Sequence, residues 1–313
     1  ILVDRRFFGG ILKYKSTRGS SEELSFSEVL LSGLAIDGGL YLPSSYPYFN
    51  SHELSNMQNL SYPELAFLIM RPFIENDPTL KETQLQTILE DTYSNSNFDQ
   101  IAPLIKIREN EFVLELFHGP TLAFKDLALQ FLGRLFDETL KSENRKITIV
   151  GATSGDTGSA AIEACKNRGA INAFIFYPHN RVSEVQRRQM TTVNAKNIYC
   201  VAVDGTFDDC QDLVKAMFND LSFRQEYNLS AINSINWARI LAQVVYYFWA
   251  GLKLIGQKSS VSFSVPTGNF GNIFAGYLAK KMGLPISQLI VGSNSNDILT
   301  RLLKTRKMRL SAV

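Results

Sequence analysis

Histidine and cysteine are both scarce in this chain, with three of each in 313 residues. Three cysteines, Cys165, Cys200 and Cys210, are an odd number, and their spacing matches neither a disulfide framework nor a zinc site. Buried free thiols in a reducing compartment, the cytoplasm, are therefore expected. Three histidines give metal catalysis little to work with, and none is expected. Charge of one sign is also missing: 32 Lys and Arg against 30 Asp and Glu leave a net +2, and no long block of either sign stands out. Neither a nucleic acid nor a membrane surface is implied as partner, and a small molecule is expected instead. No long uncharged apolar run reads as a membrane span, and the opening ILVDRRFFGG lacks the length and small-residue cleavage pattern of a signal peptide. The chain does not begin with methionine, so its natural start is expected upstream.

What is present is ordinary globular material. An apolar content of 45% over this length supports a large core and suggests about two domains. Ser25 with Glu28, and Ser61 with Glu64, each read as a serine cap answered three residues later by a glutamate, and Pro63 is tolerated in a first turn. A third helix carries Leu85, Ile88, Leu89 and Thr92 on one face. Residues 1–100 are thus expected to form a small, mainly helical unit. From residue 101 short apolar runs alternate with helical stretches: FVLELF (112–117), KITIV (146–150), AFIFY (173–177), NIYCVAV (197–203), VSFSV (261–265) and LIVG (289–292). Strands of this kind, separated by helices such as 208–220 and 235–254, predict an α/β, doubly wound arrangement of mostly parallel sheets.

Ligands of such sheets bind beyond the carboxyl ends of strands, which directs attention to the loops there. After KITIV comes GATSGDTGSAA (151–161), and after VSFSV comes PTGNFGN (266–272). Both are small, glycine-rich turns opening a helix, where N–H groups and the helix dipole favour an anion, although glycine turns at such junctions also occur for purely geometric reasons. Gly151, Gly155 and Gly158 give a GxxxGxxG spacing. A dinucleotide site would need an acid after the next strand, which instead ends Tyr177-Pro178-His179. No lysine followed by Ser or Thr completes a Walker loop, and the turn around Ser154 is not a GxSxG elbow. Lys125, in ELFHGPTLAFKD (115–126), follows a Gly-Pro break where a helix begins. Flanked by Leu122, Ala123 and Phe124, it is either a snorkelling lysine or an amine whose burial favours the nucleophilic form. In INSINWARILAQ (232–243), Asn233, Ser234 and Asn236 precede an apolar helix. Arg239 is either a surface residue there or a fork for phosphate or carboxylate.

Five stretches, HGPTLAFKD, ATSGDTGSAA, QMTTV from Gln189, NSINWARILAQ and PTGNFGN, occur in an order that resembles the threonine synthase family of pyridoxal-phosphate enzymes. YKSTRG from Tyr14 and DGGLYLP from Asp37 resemble the N-terminal signature of its fungal and bacterial branch. The resemblance runs from Tyr14 to about Leu303 and implies the fold shared with the tryptophan synthase β subunit. It implies pyridoxal 5'-phosphate as cofactor and O-phospho-L-homoserine as substrate, with L-threonine and phosphate as products. It places the Schiff-base lysine at Lys125 and the cofactor-phosphate loop at Gly268, Asn269, Phe270, Gly271 and Asn272. The substrate carboxylate falls to the Ser154, Gly155, Asp156, Thr157 loop, and the substrate phosphate to Thr157, Asn233, Ser234 and Arg239. Residues 101–130 with 235–313 are expected to form the large cofactor-binding domain and 131–234 a small α/β domain, in a monomer or homodimer. The family's chain continues beyond this one, and its later part is expected to supply a hydroxyl residue facing the pyridine nitrogen. The ending KTRKMRLSAV departs from the family pattern.

Overall fold

The computed structural model describes residues 11–232, 236–255, 260–267, 270–295 and 297–308. In chain order the first part holds β1 (Tyr14–Ser16), α1 (Phe26–Ser32), β2 (Tyr41–Pro43), α2 (Ser51–Met57), α3 (Tyr62–Ile74) and α4 (Glu82–Thr92). Both expected caps are in place. Ser25 Oγ accepts from the Glu28 N–H while the Glu28 carboxylate accepts from the Ser25 N–H, and the Glu64 carboxylate accepts from Ser61 N–H at 2.8 Å. Leu85, Ile88, Leu89 and Thr92 are buried together on α4. The periodicity did not reveal β1 and β2, three residues each, which pair antiparallel.

The middle of the chain runs β3 (Leu104–Arg108), β4 (Glu111–Leu114), α5 (Lys125–Ser142), β5 (Ile147–Ala152), α6 (Asp156–Cys165), β6 (Ile171–Pro178), α7 (Glu184–Thr191), β7 (Ile198–Val203), α8 (Phe207–Asn219), α9 (Leu221–Glu226) and β8 (Leu229–Ser230). Strands β7-β6-β5-β8 form one four-stranded sheet, parallel throughout. FVLELF does not join it: its strand stops at Leu114 and pairs antiparallel with β3. The cause lies in the exposure of this hairpin, where Ile105, Ile107 and Val113 face solvent. The run is a half-solvated ribbon and residues 115–124 are left as a loop.

Helix α5 is buried around almost its whole circumference, with Leu127, Leu129, Phe131, Leu132, Leu135, Phe136 and Leu140 all inside, as expected of a helix enclosed on every side. It meets α6 so closely at Gly133 that a Cβ there would run into the Ala164 backbone. Gly133→Ala gains up to about 1 kcal/mol in helix propensity, whereas overpacking against an immovable carbonyl costs about 1–3 kcal/mol. The second wins, and a lower urea midpoint is expected.

The rest comprises α10 (Trp237–Ile255), β9 (Val261–Pro266), α11 (Gly271–Lys281), β10 (Ile286–Gly292) and α12 (Ile298–Thr305), with β9 and β10 parallel. Packing divides the chain into two compact units, one within 1–45 and 61–242, the other within 46–60 and 243–313. In the first, Trp237 sits against Tyr14 and Phe73, with ring centroids 6.1 and 5.6 Å away. In the second, Phe49 packs edge-on against Phe248, and its N–H donates to the Met282 carbonyl. Cys165 and Cys210 are buried and Cys200 is only half-buried; all three are free. Burial pushes the Cys165 thiol up to about 12. No helix among the described residues is long and apolar enough to cross a membrane.

Candidate functional site

Lys125 opens α5, and its turn is built by its neighbours. Gly119 accepts from the Leu122 N–H, Leu122 takes a left-handed backbone (φ 57°), and the Asp126 N–H returns to the Ala123 carbonyl. Asp126 locks this turn from inside: fully buried, its carboxylate accepts from Thr121 N–H and Thr121 Oγ1, both at 2.8 Å. Gly119 must be glycine, since a Cβ there would lie 2.5 Å from the Asp126 Cβ. Leu122 is exposed and does not shield the lysine. The Lys125 side chain is nevertheless only 16% exposed, with its ammonium 4.6 Å from the centre of the Phe124 ring.

The partner of Lys125 comes from the other predicted loop of the same unit. Lys125 Nζ donates to Asp156 Oδ2 at 3.1 Å, and Gln186 Nε2 on α7 donates to Asp156 Oδ1 at 2.5 Å. Thr153, the residue after β5, organises the turn: its hydroxyl accepts from the N–H groups of Gly155 (3.0 Å) and Gly158 (2.8 Å). Those two N–H groups are therefore taken up inside the protein, and the loop offers an anion less than its composition suggests. Gly155 has φ 142°, a conformation that favours glycine, and the Gln186 carboxamide fills the space a side chain would occupy. Ser154 is exposed and Thr157 half-buried, on either side of Asp156.

The two aspartates titrate in opposite directions. For Asp156 burial pulls upward, but the Lys125 charge and hydrogen bonds from Gln186 and Lys125 outweigh it and hold the carboxyl below its ordinary value of 3.8. It contributes stability above that value, lost as pH falls through its lowered one. For Asp126 burial dominates the Thr121 hydrogen bonds and pushes the carboxyl above 3.8. The stability tied to its protonated form is complete below 3.8 and is lost as pH rises through the raised value. Asp126→Asn is expected to remove that decline, flattening the urea-midpoint profile as pH rises above 3.8. An unchanged profile would show that the carboxyl does not titrate there.

Asn236 caps α10, its Oδ1 accepting from Ala238 N–H at 3.0 Å, while its Nδ2 donates to the Leu30 carbonyl. Arg239, three residues further on in the first turn of α10, is 4% exposed, which excludes the surface reading. In the second unit Phe270 precedes α11 and is exposed, with Gly271 and Asn272 in its first turn. The Asn272 side chain accepts from the hydroxyls of Tyr246 (2.5 Å) and Tyr247 (2.9 Å), so the loop's helix is pinned to α10. Asn233, Ser234, Gly268 and Asn269 lie outside the described residues. Sequence reasoning missed Thr121, Asp126 and Gln186. The proximity of Asp126 to Lys125 was visible; nothing in the sequence marked Gln186.

Comparison with known proteins bears on this arrangement. A family profile described as "Threonine synthase N terminus" matches residues 13–93, and one described as "Pyridoxal-phosphate dependent enzyme" matches residues 99–312. A threonine synthase of Pseudomonas aeruginosa is 56% identical over 292 residues, 93% of this chain and 62% of that protein. Among solved structures, the pyridoxal-phosphate-bound threonine synthase of Brucella melitensis superposes with a TM-score of 0.90 at 51% identity, over 96% of this chain and 65% of that one. The threonine synthase of Escherichia coli gives 0.85 at 35% identity, over 96% and 68%. The chain spans about three fifths of the length of the curated relatives it matches.

Proposed function

The chain belongs to the threonine synthase family of pyridoxal-phosphate-dependent enzymes, and from that premise we propose that it converts O-phospho-L-homoserine and water into L-threonine and phosphate. The observation that carries this reading is the meeting of Lys125 with Asp156 at 3.1 Å. It brings together, within one compact unit, the Lys125 turn and the SGDTG loop, which sequence alone singled out separately.

The residues fit the cofactor. A partly shielded primary amine stands at a helix start beside a loop that glycine keeps open, and α11 begins at Gly271, the last glycine of the PTGNFGN turn. Lys125 would hold the cofactor through its amine, and backbone N–H groups of Gly268, Asn269, Phe270, Gly271 and Asn272 would hold its phosphate. When bound, the pyridoxal ring supplies an electron sink for charge at the substrate Cα. With the cofactor and substrate in place, the Lys125 amine would serve as base at the substrate Cα and carry protons between its carbon atoms. Ser154 and Thr157 orient the substrate, while Asp156 keeps the lysine amine directed. Arg239, with Asn233, Ser234 and Thr157, balances charge on the phosphate as it leaves Cγ. Residues 101–130 with 235–313 are assigned to cofactor binding, 131–234 to the small domain that carries the substrate loop, and 1–100 to the helical unit; the free thiols suit a reducing cytoplasm. Mixing the protein with pyridoxal phosphate and O-phospho-L-homoserine should release phosphate and threonine in equal amounts. A spectral change without phosphate release would instead favour a protein that binds the cofactor without this chemistry.

A further inference from the structure

The QMTTV stretch is left without a role by the reading above. It lies at the end of α7, a helix whose only buried side chain among the described residues is Met190. Val185 is 68% exposed, and Arg187 and Arg188 pair with Glu184 of the same helix at 2.7 and 2.8 Å. So little apolar anchorage leaves the seat of α7 to its polar contacts, and two glutamines make them in different directions. Gln186 Nε2 donates to Asp156 Oδ1, leaving Oδ2 for Lys125. Gln189 Nε2 donates to the Thr121 carbonyl at 3.0 Å, and Thr121 in turn donates twice to Asp126, the residue after Lys125. Lys125 is thus reached from α7 by two routes, through the carboxylate that faces its amine and through the turn that carries its backbone.

We propose that α7 is the positioning element of the site, with Gln186 and Gln189 holding the Asp156 loop and the Lys125 turn in one register. With a donor on each oxygen the Asp156 carboxylate cannot rotate, and the lysine amine keeps a single direction. This role rests on Lys125 being the reacting amine. Both glutamines act through other residues, so their loss should alter turnover more than substrate affinity.

The test compares Gln189→Glu, which keeps shape but turns a donor into an acceptor facing a carbonyl, and Gln186→Met, which keeps length but loses the donor. Gln189→Lys restores a donor and serves as the rescue. Competitive acetylation of the cofactor-free chain with acetic anhydride, read by peptide mass spectrometry, reports on the Lys125 amine without reference to activity. Its rate relative to exposed lysines should rise about threefold or more in the first two variants as the ion pair loosens, and return towards the parent value in Gln189→Lys. In the loaded enzyme kcat should fall on the order of tenfold with KM for O-phospho-L-homoserine within about twofold. Parent-like acetylation and kcat in both variants would overturn the proposal, as would a loss that follows melting temperature alone and is not rescued. Altered acetylation in a chain whose parent releases no phosphate would support the positioning role while removing the proposed reaction.

Discussion

Lys125→Ala is expected to lose turnover of O-phospho-L-homoserine by at least about a thousandfold and to lose, in the same preparation, the visible absorbance of bound pyridoxal phosphate. The two losses go together because one amine is assigned both tasks, holding the cofactor and moving the proton at Cα. The fold should survive. The side chain removed is a partly exposed member of an ion pair whose other carboxylate oxygen keeps its Gln186 donor, and such pairs contribute about 0–1 kcal/mol. Removing a positive charge from the first residue of α5 also relieves an unfavourable dipole contact of about 0.3–1 kcal/mol. A near-normal melting temperature with no turnover and no absorbance is therefore the expected combination, and a variant that keeps either signal would remove the assignment.

Gly155→Ala is expected to damage activity less than loss of the lysine but, unlike the lysine variant, to lower stability as well. At φ 142° an L side chain is strained by about 1–3 kcal/mol, and its Cβ would have to displace the Gln186 carboxamide. That carboxamide holds Asp156, which faces the Lys125 amine. A shift of about 1 Å in such a constellation can cost on the order of a hundredfold in rate, so kcat is expected to fall by that order with the melting temperature reduced. A Gly155→Ala enzyme with parent kcat would mean that the Asp156 loop does not set the geometry of the lysine.

The alternation of strands and helices was legible wherever strands are buried on both faces. KITIV and AFIFY read as continuous apolar runs because they lie inside a parallel sheet. FVLELF looked similar and is not, because the hairpin it forms with β3 is exposed; composition alone does not separate a buried strand from a half-solvated ribbon of apolar residues. Lys125 and the SGDTG loop each stood out locally, Lys125 by its Gly-Pro break and the loop by its glycines. Their pairing was not readable, since 31 residues separate Lys125 from Asp156 and only the packing of α5 against α6 closes the gap. Gln186 was silent for a different reason: a neutral amide on a charged, largely exposed helix leaves no signature in composition or periodicity. Asp126 sat beside the lysine in plain view, but its burial, and hence its direction of titration, follows from the Gly119 turn folding over it.

The central claim, that Lys125 is the amine that carries the cofactor, is tested most directly by loading the protein with pyridoxal phosphate, reducing it with borohydride and locating the added mass by peptide mapping. The account predicts the cofactor's mass on the peptide containing Lys125 and its absence from that peptide when the lysine is replaced. Recovery of the mass on another lysine, with Lys125 unmodified, would contradict it.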